Sequence, residues 1–203
     1  MDIGVVNIKG GVGKTTTSVH LGAFLQTQGP TVLFDGDPSH NALAWQGRGD
    51  GFPFRIADLR AARKLVGTFD HSITDTGLAP TDDDIKFLAE ACELMVVPTT
   101  PRPLDTDGLK QTIQAFQRLR VTHYKVLITS MPPPNEPEGA ELMELLEELK
   151  VPLFKTAIPR LKAFVKASGS GQIVSEVKDP RSDRGWEAYV EVGKECLAYV
   201  PHR

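Results

Sequence analysis

The chain lacks several features, and each absence narrows what it can be. No apolar run approaches the roughly 20 residues of a membrane helix, so no spanning helix is expected. Cysteine is scarce: Cys92 and Cys196 are the only two, and they offer no C-x-x-C or other ligand spacing. The five histidines include no pair at i,i+3 or i,i+4, so a helical metal site has no support. An excess of positive charge is also missing. With a net charge of −3, any contact with nucleic acid must rest on a local patch. Repeats and low-complexity segments are absent too. The chain enters the strand-like run "DIGVVN" at once, which leaves no room for a signal peptide. A cytoplasmic globular protein is expected, and 203 residues suit a single domain over 1–203 better than two.

What is present is an alternation of short apolar runs with longer amphipathic segments. Strands are expected at Ile3–Asn7, Thr31–Asp35, Phe69–Asp75, Leu94–Pro98, Tyr124–Thr129 and Leu153–Ala157. Between them, residues spaced by three and four mark helix faces: Leu21, Phe24 and Leu25; Ile85, Leu88, Ala89 and Cys92; Leu109, Ile113 and Phe116; Leu142, Leu145, Leu146 and Leu149. "GRGDGFP" (Gly47–Pro53) and "MPPPNEPEG" (Met131–Gly139) read as loops. The pattern is that of an α/β protein, a mostly parallel sheet with helices on both faces.

The first strand runs into "NIKGGVGKTTT". Gly10, Gly11 and Gly13 lie between a strand and a helix, where glycine lets successive backbone N–H groups turn toward phosphate oxygens. The N-terminus of the following helix adds positive potential. Lys14 would reach the β- and γ-phosphates, and the Thr15 hydroxyl would bind Mg²⁺. The spacing is unusual: position 8, where a phosphate loop normally has its first glycine, is Ile8, and an extra lysine, Lys9, precedes the glycines. Two later strands end in aspartate, in "VLFDGDPSHNA" and "FDHSITDTGLAP", at the edge where open parallel sheets bind ligands. Asp37 and Asp75 fit a catalytic and Mg²⁺ site there; Asp35 suits that site or a plain turn equally.

The segment "KGGVGKTT" resembles the deviant phosphate-loop (Walker A) signature of the ParA/MinD ATPases. The two aspartate strands resemble that family's second and third motifs, "VVPTTPRPLDTDGL" its proline-rich strand end, and "TAIPRLKAFVKA" its adenine-lining segment. The order holds from about residue 2 to residue 170, and the short chain looks most like the small plasmid-partition ParA proteins of the ParF type. Ser39 departs from the family's frequent glutamine, and "DTGLAP" from its Asp-x-Pro-Pro. The resemblance implies a P-loop fold and a slow, Mg²⁺-dependent ATPase that dimerises on ATP, compatible with filaments and stimulated by a ParB-like partner. ATP or ADP would be held by Lys9, Gly10, Gly11, Val12, Gly13, Lys14, Thr15 and Thr16, with Pro159 and Arg160 near the base. Thr15, Asp37 and Asp75 would serve the metal. Asp37 would orient the attacking water, and Lys9 would reach the ATP of the second subunit.

Between Lys155 and Arg184 seven basic residues face only three acids. Composition alone suits a solvated face. The resemblance implies non-specific DNA binding there, through Arg160, Lys162 and Lys166, and association with the nucleoid when ATP is bound. The tail "RGWEAYVEVGKECLAYVPHR" carries Trp186, Tyr189, Val190, Gly193 and Leu197 on one face and Glu187, Glu191 and Glu195 opposite. Acids on that face oppose anionic lipid, so the tail is expected to dock on its own core. The other branches open are a MinD-like or cargo-positioning ATPase and a metabolic enzyme; an iron–sulfur reductase is disfavoured because Cys92 lies on a helix stripe.

Overall fold

Side chains of neighbouring strand residues point to opposite faces, so apolar residues are buried on both sides of the sheet. In the computed structural model, which describes residues 1–65 and 67–200, six strands form one sheet. They are β1 (Asp2–Val5), β2 (Thr31–Gly36), β3 (Arg55–Asp58), β4 (His71–Thr76), β5 (Leu94–Thr99) and β6 (Tyr124–Ile128). Their order is β3-β2-β4-β1-β5-β6, and all pairings are parallel. The helices are α1 (Lys14–Gln26), α2 (Asn41–Gln46), α3 (Ala62–Leu65), α4 (Asp82–Ala91), α5 (Pro103–Leu119), α6 (Glu138–Glu148), α7 (Lys162–Ser170) and α8 (Ser182–Leu197). Leu94 and Val96 of β5 enter a core with α1, α7 and α8. Met95 and Val97 enter the opposite one, with α4, α5 and α6. The expected two-faced α/β architecture is the one observed.

α1 is buried almost all round, from Thr17 to Leu25, because α8 covers the side turned away from the sheet. Gly193 permits that crossing: a Cβ there would lie 2.1 Å from the Phe24 ring. The tail therefore docks on the core as expected, but on a face rotated from the expected one: Tyr189, Val192, Gly193 and Cys196 are buried, Trp186 and Val190 only partly, and Leu197 is exposed. Its last three residues, 201–203, lie outside the described ones. His20 of α1 is fully enclosed. Its Nδ1 lies 2.7 Å from the Thr16 carbonyl, and its Nε2 accepts from the Val174 N–H at 3.0 Å. Those partners require the neutral ring protonated at Nδ1, and burial pushes its pKa down to about 4. The ring stacks on Tyr189, centroids 4.7 Å apart, while the Thr17 hydroxyl meets the Tyr189 hydroxyl at 3.2 Å. The helix that opens at the phosphate loop is thus fixed to the C-terminal cap.

Three further sequence expectations need correction. Arg55–Asp58, placed outside any strand, forms β3 at the sheet edge. It contributes only Ile56 and Ala57 to burial, too short a run to show a period. Leu153–Ala157, expected as a strand, touches the sheet through a single bridge, Val126 to Leu153. The Glu195 carboxylate accepts from the Lys155 and Thr156 N–H groups, each at 3.0 Å, and so turns those amides toward α8 and away from β6. Along α6 and its C-cap, Leu142 and Leu146 are buried, whereas Leu145 and Leu149 are exposed, because no element among the described residues covers that flank. Cys92 closes α4 against the core, and burial pushes both thiols up to about 12, consistent with packing.

Candidate nucleotide site

β1 lies between β4 and β5, so chain leaving its C-terminal end faces the crevice typical of ligand binding in open sheets. Asn7 shapes that exit. Its Nδ2 donates to the Pro98 carbonyl at 2.8 Å, and its Oδ1 accepts from the Lys9 N–H at 2.8 Å. Thr112 of α5 joins them: its hydroxyl oxygen accepts from the Ile8 N–H at 3.2 Å and lies 3.3 Å from Asn7 Oδ1. Gly11 and Gly13 have φ of 77° and 92°, which explains glycine at both positions. Val12 is buried, and its carbonyl accepts from the Thr129 hydroxyl at 2.7 Å. The loop is therefore braced by β5, β6 and α5 before α1 begins at Lys14.

Gly11, Gly13, Lys14, Thr15 and Thr16 line a cavity of about 330 Å³, closed on the other side by Asp37, Ser39, Asn41 and Leu78. Lys14 is nearly buried, and its ammonium donates to the Lys9 carbonyl at 3.0 Å. Desolvation lowers its pKa, against the pull of Asp75 and Asp37. Gly10 sits outside this lining, under Leu78: a Cβ on Gly10 would lie 2.6 Å from Leu78 Cδ2. Lys9 is not part of the lining either. Its Cβ and Cγ run along α5 at Gly108, where a Cβ would come within 2.6 Å of Lys9 Cβ. Among the described residues no carboxylate lies within ion-pair distance of Lys9.

The three aspartates separate by environment. Asp35 Oδ1 accepts from the Asp37 N–H at 3.1 Å and Oδ2 from the Leu43 N–H at 3.0 Å, which resolves Asp35 as a turn and helix-start residue. Asp37 faces the cavity. Its Oδ1 accepts from the Ser39 N–H at 2.8 Å and its Oδ2 from Asn41 Nδ2 at 3.0 Å. Asp75 is fully buried; Oδ1 accepts from the Ser18 hydroxyl at 3.0 Å, and Oδ2 has no hydrogen-bond partner. Desolvation pushes its pKa up to about 7; the Thr15 and Ser18 hydroxyls and Lys14 oppose that rise, while Asp35 adds to it.

Asp75 and Thr15 fit Mg²⁺ on these grounds. A hard cation would satisfy the orphan oxygen and favour the ionised carboxylate. Once bound beside a nucleotide, Mg²⁺ would neutralise charge on the β- and γ-phosphates. Among the described residues no cluster of three or more His, Cys, Asp or Glu side chains is placed to hold a metal. Mg²⁺ that keeps several waters and takes phosphate ligands needs no such cage.

Arg160 and Pro159 stand apart from the phosphate cavity. Pro159 bridges to Met131, and the Arg160 N–H donates to the Met131 carbonyl at 2.8 Å. The Arg160 guanidinium pairs with Glu136 and lines a separate cavity of about 170 Å³ with Thr100, Arg102, Ser130 and Pro132. Lys166 pairs with Asp179 at 2.6 Å, while Lys162, at the start of α7, has no ion pair among the described residues. Sequence reasoning missed Asn7, Ser18, Asn41, Thr112 and Thr129, polar residues whose spacing forms no motif.

The chain's residues 3–174 match the CobQ/CobB/MinD/ParA nucleotide binding domain. The chain belongs to this family. "Maintenance of carboxysome distribution protein A" of Gloeobacter kilaueensis is 31% identical over 199 residues, covering 95% of this chain and 92% of that protein. "Sporulation initiation inhibitor protein Soj" of Bacillus subtilis is 32% identical over 137 residues, 64% of this chain and 49% of Soj. The solved structure of a Cyanothece McdA–ATP complex superimposes with a TM-score of 0.77 at 17% identity, covering 100% of this chain and 98% of that one. At that identity the likeness speaks for the fold, a P-loop ParA/MinD fold.

Proposed function

We propose that this chain is a Mg²⁺-dependent ATPase that dimerises on ATP, binds DNA non-specifically in that state and positions a protein assembly. One observation carries the switch: Lys14 enters the phosphate cavity whereas Lys9, five residues earlier, runs outside it along α5. A cation held outside its own cavity suits the site of a second subunit, where it would neutralise charge on the transferred phosphoryl group. Asp37 is the group that orients water, and Asp75 with Thr15 holds the metal. Residues 1–203 act as one ATPase domain, working in the cytoplasm and on the nucleoid. No helix among the described residues is long and apolar enough to cross a membrane.

The sequence resemblance points first to plasmid or chromosome partition and second to cargo positioning. The coverage of the relatives favours the second. The protein named for carboxysome distribution aligns along 95% of this chain, against 64% for the Bacillus Soj. We therefore read the cargo as a protein assembly, recognised through a partner that stimulates hydrolysis. The test is ATP turnover with the product of a neighbouring small gene, with and without DNA. Stimulation that accepts any DNA sequence fits cargo positioning. Stimulation that requires one specific DNA site returns the protein to partition with a ParB-like partner.

A further inference from the structure

The wall of the phosphate cavity formed by Asp37, Ser39 and Asn41 continues without a break into α2. The front of α2 is seated on that wall through the bonds from Ser39 and Asn41 to Asp37 and from the Leu43 N–H to Asp35. His40, just before the helix, holds φ of 49°, an unfavourable left-handed conformation for a residue with a side chain.

The far end of α2 is seated on α7. The Trp45 indole N–H lies 3.1 Å from both the Ala167 and Gln172 carbonyls, and Arg48 Nη1 donates to the Ser168 carbonyl at 2.6 Å. Two of these carbonyls are in the last turn of α7; that of Ala167 also accepts the Gly171 and Gln172 N–H groups that cap the helix, so Trp45 is tied to the cap itself. Beside them the backbones approach closely: a Cβ on Gly171 would lie 2.1 Å from the Gly49 nitrogen, so there is no room for a side chain where the two segments meet. Trp45 is buried and packs edge-on against His20. The outward side of α7 carries Lys162, Val165 and Lys166.

We propose that α2 is a strut carrying the state of the phosphate cavity to α7, with Trp45 and Arg48 as its positioning residues. One turn of helix separates Asn41 at the cavity from Trp45 at α7, so a shift of the wall is passed on as a rigid-body movement. The surface so regulated is the exposed face of α7, which rests on the DNA-binding reading above. A nucleotide biases this element only through contacts that differ between its states, and the γ-phosphate side of the cavity is where Asp37, Ser39 and Asn41 stand.

The test compares the native chain with Trp45→Phe/Arg48→Ala, which keeps an aromatic ring in the core and removes the donors. Amide hydrogen exchange over residues 162–172 is measured with Mg-ADP and with a non-hydrolysable Mg-ATP analogue, alongside analogue affinity and DNA affinity. In the native chain the exchange rates should differ between nucleotides by about threefold or more, and in the variant by little, while analogue affinity stays within about twofold. Equal nucleotide sensitivity of α7 in both proteins overturns the strut, as does insensitivity in the native chain. If exchange behaves as expected but DNA is bound in no nucleotide state, the DNA reading fails and the strut stands. Should the double variant not fold, Arg48→Ala alone, a surface change, is expected to reduce the sensitivity in the same direction; an unreduced sensitivity there overturns the role of Arg48.

Discussion

The Lys14 ammonium donates to the backbone carbonyl of Lys9 at 3.0 Å, yet the two side chains serve different spaces. Lys14 lies in the phosphate cavity, enclosed and partly desolvated; Lys9 leaves along Gly108 on α5. The loop between them therefore directs one cation into the cavity and the other along α5. Each is expected to fail differently when removed.

For Lys14→Ala, the glycine backbone stays and the main cation on the β- and γ-phosphates goes. Loss of a buried charge-assisted interaction of about 3 kcal/mol corresponds to roughly 100-fold in affinity. Calorimetry with Mg-ATP should show at least that loss. Near-native affinity would contradict the assigned cavity.

Asp37→Ala should bind ATP and dimerise while hydrolysing hardly at all. Asn41→Ala leaves the carboxylate in place but without its 3.0 Å donor, so it should lower turnover less, by roughly tenfold, at unchanged ATP affinity. The measurement is single-turnover hydrolysis beside analytical ultracentrifugation. An Asp37→Ala protein that stays monomeric with ATP would make Asp37 a structural or metal-holding residue.

Asp75 gives a pH signature. Its folded pKa of about 7 lies above the unfolded 3.8, so the folded state holds a proton that the unfolded state has lost between those values. The stability it contributes is most favourable below pH 3.8 and is lost as pH rises toward about 7. Above that pH the buried carboxylate costs a few kcal/mol, since a change of one in pKa corresponds to about 1.36 kcal/mol. Asp75→Asn should therefore raise nucleotide-free stability at pH 8 and make little difference near pH 4, by denaturant titration. In the native protein, Mg-ATP binding near pH 6 should release about one proton, and near pH 8.5 almost none. Proton release that does not vary with pH would remove Asp75 from the metal site.

DNA affinity should depend more on Lys162 than on its neighbours. Arg160 and Lys166 are held in ion pairs with Glu136 and Asp179, so each must leave a carboxylate to reach a phosphate. Lys162→Ala should flatten the log–log salt dependence by roughly 0.9 for each phosphate that the lysine neutralises, for all DNA sequences alike. If Arg160→Ala and Lys166→Ala each weaken binding as much as Lys162→Ala, the ion pairs do not restrain them.

Where backbone chemistry dictates the fold, it was readable. Gly11 and Gly13 mark left-handed turns, and β2 carries a continuous apolar run, Val32 to Phe34, before Asp35; β4 breaks that pattern with His71, Ser72 and Thr74 before Asp75. Edge elements were less legible. β3 has two buried apolar residues between Arg55 and Asp58, and the apolar stretch at Leu153 is turned from strand pairing by Glu195, about forty residues later in the chain. The same holds within the site. Lys14 and Asp37 belong to recognisable motifs, but Asn41 and Ser18 gain meaning only when a fold places them on Asp37 and Asp75. Hydrogen bonds between distant polar side chains leave no period in a sequence.

The central claim is that Lys9 completes the site of a second copy, and one mixture tests it. Lys9→Ala keeps its own cavity, Asp37 and Asp75; Lys14→Ala cannot hold ATP but keeps Lys9. With the Lys14→Ala chain in excess and mixed dimers shown by crosslinking, turnover should rise well above the sum of the separate variants. The gain can reach about 10³-fold or more where a cation supplied in trans completes a nucleotide hydrolase. Mixed dimers that form without any gain in turnover would contradict a lysine acting across the interface.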